Sequence, residues 1–85
     1  MEISLFRQTG IHEILIMLLE MDLKISDITE TIHSQSAYRS LNILKEMKLV
    51  SERRGDYNKK FYCLTAKGKK VASKLAEIEA ILNED

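Results

Sequence analysis

Two groups of side chains stand out by type and spacing. Arg53, Arg54, Lys59 and Lys60 flank a short segment that carries Tyr57 and Asn58, with only Glu52 and Asp56 as nearby acids. Such a cluster suits anions, phosphate above all. Upstream lie Gln35, Ser36, Tyr38, Arg39, Asn42 and Lys45. Glutamine and asparagine offer the paired donor and acceptor that match an adenine edge, and arginine matches guanine, each good pair contributing about 1–3 kcal/mol of discrimination. The plainer account is a solvated polar helix face next to a charged hairpin edge that discourages strand aggregation. Both accounts can hold at once. Ser36 and Ser40 suit satisfaction of backbone groups, and Tyr38 suits packing beside a helix as well as touching phosphate.

Catalytic constellations are wanting. His12 falls in an apolar stretch and His33 at a helix end, and neither is followed by a second ligand at i+3 or i+4. Cys63 is the single cysteine, which leaves no intramolecular disulfide and no multi-cysteine metal cage. In a strand it is expected to be an ordinary packed thiol, with one intermolecular disulfide per dimer as the alternative. No G-x-G-x-x-G, P-loop or G-x-S-x-G is found. No enzyme, metal or cofactor is therefore expected.

The formal net charge is zero, yet the charges are segregated. Residues 1–34 hold two basic and six acidic side chains, residues 35–74 eleven basic and three acidic, and residues 75–85 four acidic and none basic. A basic middle between acidic ends is expected where one face meets phosphate and another meets solvent or protein. Lys67, Lys69, Lys70 and Lys74 belong to that middle, although lysines also commonly decorate a solvated face. The longest apolar run, Ile14 to Leu19, is too short to span a bilayer, and a secretory leader pattern is lacking. A cytoplasmic protein is expected.

The elements that must position these groups follow from apolar periodicity. Length and the absence of linkers or repeats predict one domain over 1–85. Residues 1–8 carry Ile3, Leu5 and Phe6 without a period. A helix is predicted over 9–21, capped by Thr9 or Gly10 and apolar around most of its circumference. In so small a chain it needs cover on both sides, and a dimer partner is the simplest cover. Residues 22–25 make a turn or a very short strand. Ser26, Thr29 and Glu30 resemble a capping box opening a helix over 26–33 with Ile28 and Ile32 inward. Ser34 or Gln35 caps a third helix over 34–48, with Ala37, Leu41, Leu44 and Met47 inward. The strand-like runs 50–54 (VSERR) and 60–64 (KFYCL), joined by the turn formers of Gly55-Asp56-Tyr57-Asn58-Lys59, predict a hairpin within 50–64. Thr65 caps a last helix over 66–82, whose Val71, Leu75, Ile78 and Leu82 form one sticky stripe.

Two segments carry a family resemblance. The run 34–50, SQSAYRSLNILKEMKLV, resembles the recognition helix and wing entry of small prokaryotic regulators, with a serine-rich start, L-x-x-L and a closing L-V. The run 61–68, FYCLTAKG, is similar to the Y-x-L-T-x-K-G with which MarR, PadR and ArsR-like proteins leave the wing and enter their last helix. Lys48 stands where those proteins usually have glycine, and the turn between Ile32 and Ala37 is shorter than theirs. The cysteine pairs of the metal-sensing ArsR-like proteins are absent, so metal sensing is not implied.

The resemblance implies an α+β, mostly α, winged helix-turn-helix: a three-helix core, a two-stranded β-wing and a C-terminal helix. It also implies a homodimeric transcription regulator of double-stranded DNA, paired through helix 1 and the C-terminal helix, with one recognition helix per major groove. The wing would lie on phosphates or in the adjacent minor groove. The alternatives are a protein-interaction winged helix serving as adaptor or subunit of a larger complex, and non-specific architectural DNA binding.

Overall fold

The polypeptide, described here from a computed structural model, is laid out over residues 6–84; the N-terminal Ile3 and Leu5 lie outside the described residues. The chain forms α1 (Ile11–Glu20), α2 (Ile25–Thr29), α3 (Ser34–Glu46), β1 (Val50–Arg54), β2 (Lys60–Leu64) and α4 (Ala66–Leu82). The architecture is mostly α: a three-helix core, an antiparallel two-stranded wing and a C-terminal helix. No helix among the described residues is long and apolar enough to cross a membrane.

Apolar periodicity selects the core. Ile11, Ile14, Leu15 and Leu18 of α1 are buried together with Ile28, Ile32, Ala37, Leu41, Leu44, Leu49, Val50, Tyr62 and Ala72. Much of the cover that α1 needs comes from within the chain. The chain's own α3 and α4 pack on this helix, Met17 is partly buried against the core, and Leu19 remains as its exposed large apolar residue.

Helix entry departs from the caps expected of the serines. Gly10, at φ 97°, precedes α1 in left-handed backbone, and a Cβ there would meet Ile32 and Ser40 at 3.2–3.3 Å. Ser40 is buried and donates its hydroxyl to the Thr9 carbonyl, so α3 holds the entrance of α1. Lys24 is the residue before α2, and its backbone N–H donates to the Asp27 carboxylate at 3.1 Å. Asp27 thus closes the box expected of Ser26 and Glu30, because the extended residue is Lys24 and Asp27 stands three places on. Ser26 lies inside the first turn, where its carbonyl accepts from Thr29 Oγ1. His33 caps α3, its Nδ1 accepting from the Gln35 N–H at 3.3 Å. Neither Ser34 nor Gln35 performs that role, since both already have their place within the helix.

The end of α3 explains the unusual lysine. Lys48 adopts φ 62°, its N–H donates to the Lys45 carbonyl at 3.0 Å, and the Leu49 N–H donates to the Leu44 carbonyl at 2.9 Å. These two bonds make a Schellman stop, whose left-handed residue is usually glycine. A side chain in that conformation costs about 1–2 kcal/mol, partly offset by the greater freedom glycine has when unfolded. Lys48→Gly is therefore expected to raise stability by about 0.5–1 kcal/mol and the thermal midpoint by about 4 °C, measured by circular dichroism melting. An unchanged or lower midpoint would mean that the lysine makes a compensating contact.

The wing register pairs Val50 with Leu64, Ser51 with Cys63, Glu52 with Tyr62, Arg53 with Phe61 and Arg54 with Lys60. Alternation then divides the ribbon. Val50, Leu64 and Tyr62 on one face join the core, and that face continues outward through Glu52 to Arg54 and Lys60. The short strand expected at 22–25 is a single bridge, with Leu23 and Tyr62 exchanging backbone bonds at 2.7 and 3.1 Å. At the tip, within Asp56–Asn58, Tyr57 and Asn58 take left-handed backbone at φ 60° and 59°.

Behind the wing, Thr65 joins three elements. Its N–H donates to the Leu49 carbonyl at 3.0 Å and its hydroxyl to the Lys48 carbonyl at 2.7 Å, while Oγ1 accepts from the Gly68 N–H at 3.0 Å. The end of α3 is thereby fastened to the start of α4. Gly68 lies against this junction: a Cβ there would come within 1.9 Å of the Leu49 carbonyl oxygen.

Candidate nucleic-acid interface

With Ala37, Ser40, Leu41 and Leu44 buried, the opposite face of α3 presents Gln35, Tyr38, Arg39, Asn42 and Lys45, all exposed. Gln35, Tyr38, Asn42 and Lys45 are spaced three, four and three residues apart, which aligns them in one stripe along the helix. Arg39 flanks this stripe, and Ser36 is half-buried at its margin.

The stripe runs into the wing. Lys45 Nζ lies 2.7 Å from Glu52 Oε2, and Lys60 Nζ lies 3.4 Å from the same oxygen. This carboxylate therefore joins the last turn of α3 to both wing strands. The hydrogen bond from Lys45 is the main cause that holds the Glu52 carboxyl below its ordinary range; burial opposes it, and the charges of Lys45 and Lys60 add to the lowering. The Tyr62 hydroxyl first, and Glu52 after it, hold the Lys60 ammonium above its usual range. Lys60 also stands 5.4 Å from the centre of the Tyr62 ring.

Arg54 lies directly across the ribbon from Lys60, a like-charged pairing that destabilises a hairpin unless an anion relieves it. Its guanidinium donates to the Asn58 carbonyl at 3.2 Å. Among the described residues, Arg39, Lys48, Arg54 and Lys59 have no carboxylate within ion-pair distance. Tyr57 projects from the tip and is 94% exposed, with Asn58 and Lys59 exposed beside it.

Arg53 is placed differently from its neighbour. Strand alternation turns it to the other face of the ribbon, where Nε lies 2.7 Å from Asp22 and the guanidinium stacks 4.7 Å from the Phe61 ring centre. Lys24, Arg53, Gly55, Tyr57, Lys59 and Phe61 line a shallow notch there, together with Asp56. The Asp22 contact spans thirty-one residues of sequence, and no local pattern signals it. Lys24 likewise reaches this notch from outside the hairpin, with no local pattern to signal it.

The remaining candidates for chemistry are occupied structurally. His12 Nε2 lies 2.9 Å from Glu79 Oε2 and joins α1 to α4. Cys63 is partly buried, free, and 3.3 Å from Ser51 Oγ. No group of three or more potential metal ligands is assembled among the described residues.

A helical trio whose third helix feeds a two-stranded ribbon and a long closing helix is a winged helix-turn-helix. Solved structures of that fold are similar to this chain over most of its length. YodB from Bacillus subtilis, a transcriptional regulator, is 23% identical, with a TM-score of 0.77 over 91% of this chain and 80% of its own. BigR from Xylella fastidiosa, a transcriptional repressor, is 20% identical, with a TM-score of 0.75 over 96% of this chain and 86% of its own. A ZitR variant from Lactococcus lactis is 25% identical, with a TM-score of 0.79 over 87% of this chain. The chain spans 51–62% of the length of the ZitR structures. No family profile and no curated protein matches the sequence.

Proposed function

We propose that the chain is a double-stranded DNA-binding transcription regulator that acts as a homodimer in the cytoplasm of a prokaryotic cell. One observation carries this reading. The polar stripe of α3 and the cationic face of the wing are joined through Lys45, Glu52 and Lys60 into one exposed side. An α-helix fits the major groove, and the residues nearest its outer face reach base edges. Gln35, Ser36, Tyr38, Arg39, Asn42 and Lys45 are assigned to that groove. The wing residues Arg54, Tyr57, Asn58, Lys59 and Lys60 are assigned to phosphate and the adjacent minor groove, and Arg53, on the other face of the ribbon, to phosphate beside them. The likeness to the regulator YodB and the repressor BigR supports a role in transcription.

Selection of bound duplexes from a random pool, followed by mobility shifts across salt concentrations, tests the proposal. The expected result is a preferred sequence made of two half-sites about 34–36 Å apart, with affinity falling as salt rises. Absence of duplex binding at low salt would overturn it. Equal affinity for unrelated duplexes would replace it with architectural binding, and a stable heteromeric complex without DNA affinity with an adaptor. Arg39→Ala is expected to cost about 1–3 kcal/mol on the preferred duplex and to relax sequence preference at one position. Lys59→Ala is expected to weaken all duplexes alike and to reduce the salt slope by about 1. Equal effects of Arg39→Ala on preferred and scrambled duplexes would place that residue on the backbone instead.

A further inference from the structure

Glu52 is an acid in the middle of a surface otherwise arranged for anions. Its carboxylate receives Lys45 from α3 at 2.7 Å and Lys60 from β2 at 3.4 Å, and Arg54 follows two residues along the same strand face. The three ion-paired side chains are 30–41% exposed, so their charged ends reach solvent. Ion pairs this exposed contribute little to folding stability. A carboxylate in this position also repels an approaching phosphate. Stability therefore gives a weak account of Glu52, and its cost to anion binding is direct.

We propose that Glu52 is a positioning residue that limits duplex affinity. It holds Lys45 and Lys60 at the junction of α3 and the wing and cancels one of their two charges. The backbone attraction is thereby kept below what the cations alone would give. Binding then depends more on what the exposed stripe of α3 can read, and bound duplex is released more readily. This inference rests on the DNA-binding reading above.

The test is Glu52→Gln, which keeps the size of the side chain and removes its charge. The patch then offers one more uncompensated cation. The slope of log affinity against log salt is expected to steepen by about 0.9, an approximately eightfold gain at 0.1 M salt relative to 1 M. Preferred and scrambled duplexes should gain alike. Because Lys45 and Lys60 form one network with Glu52, a double variant is informative. Adding Lys60→Gln to Glu52→Gln should return the slope to the parental value. Thermal melting of each variant separates this role from a structural one. A Glu52→Gln protein that melts like the parent but binds no tighter, with an unchanged slope, would overturn the inference while leaving DNA binding intact. Loss of affinity together with a lowered midpoint would assign Glu52 to folding and overturn it as well. If neither protein binds any duplex at low salt, the functional reading itself fails.

Discussion

Gly68→Ala is expected to destabilise the chain by about 3 kcal/mol or more and to lower its thermal midpoint by roughly 12 °C or more. The added methyl would stand 1.9 Å from the Leu49 carbonyl oxygen, 2.9 Å from its carbon and 3.2 Å from Leu64 Cδ2. The oxygen has little freedom to retreat. It accepts from the Thr65 N–H at 3.0 Å and belongs to the residue that ends the Schellman stop of α3. Relief requires α4 to move away from the junction, which breaks the Thr65–Lys48 and Gly68–Thr65 bonds and opens the packing around buried Ala72. Circular dichroism melting measures the loss. A midpoint within about 3 °C of the parent would show that the seat of α4 is slack.

The second large effect concerns association. Ile78, Ile81 and Leu82 on the last turns of α4 are 52%, 63% and 77% exposed, and Leu19 and Met21 add exposed apolar surface at the end of α1. For a chain of 85 residues this is apolar surface that a second copy can cover. We expect the parent to sediment as a dimer, and Ile78→Glu with Ile81→Glu to give a folded monomer. The fold should survive because neither side chain belongs to the buried core. Joining two half-site readers multiplies affinity by about 10²–10⁴ through effective concentration alone, so the monomer should lose about that factor on a two-half-site duplex. Its affinity for one half-site should change little. Persistence of the dimer would move the interface away from the end of α4.

Residues 61–68 show what a sequence discloses and what it withholds. Leu64-Thr65-Ala66-Lys67-Gly68 marks the passage from wing to last helix by resemblance, and the winged helix-turn-helix architecture was legible from it together with apolar periodicity. The reason for its threonine and glycine was not legible. That reason is the pair of carbonyls of Lys48 and Leu49, whose approach belongs to the folded chain. Local chemistry favours serine as the cap of α2 and of α3. The chain instead leaves helical backbone at Lys24 and His33, one or two places earlier. Lys48 was visible as a departure from glycine, and its φ of 62° supplies the physical meaning of that departure.

The candidate site divides in the same way. Helical spacing was enough to gather Gln35, Tyr38, Asn42 and Lys45, since their relation depends on residues within one element. The hairpin likewise gathered Arg53, Arg54, Lys59 and Lys60 about one tip, while the register that sets Arg54 opposite Lys60 belongs to the folded ribbon. Contacts between elements carry no local signal. The tie of Arg53 to Asp22, and the meeting of Lys45, Glu52 and Lys60, depend on how a helix and two strands are brought together. Covering of α1 by α4 was hidden for the same reason, and it shifts the exposed apolar surface mainly to the far end of the chain.

The seat of Gly68 under Leu49 has a geometric consequence for a pair of these molecules. Because no side chain separates the two backbones, the direction of α4 is locked to that of α3 with almost no leverage between them. In a pair seamed along α4, the distance between the two groove-entering helices would be set by rigid struts. An operator with one base pair inserted between its halves would then have to bend or untwist to fit such a pair.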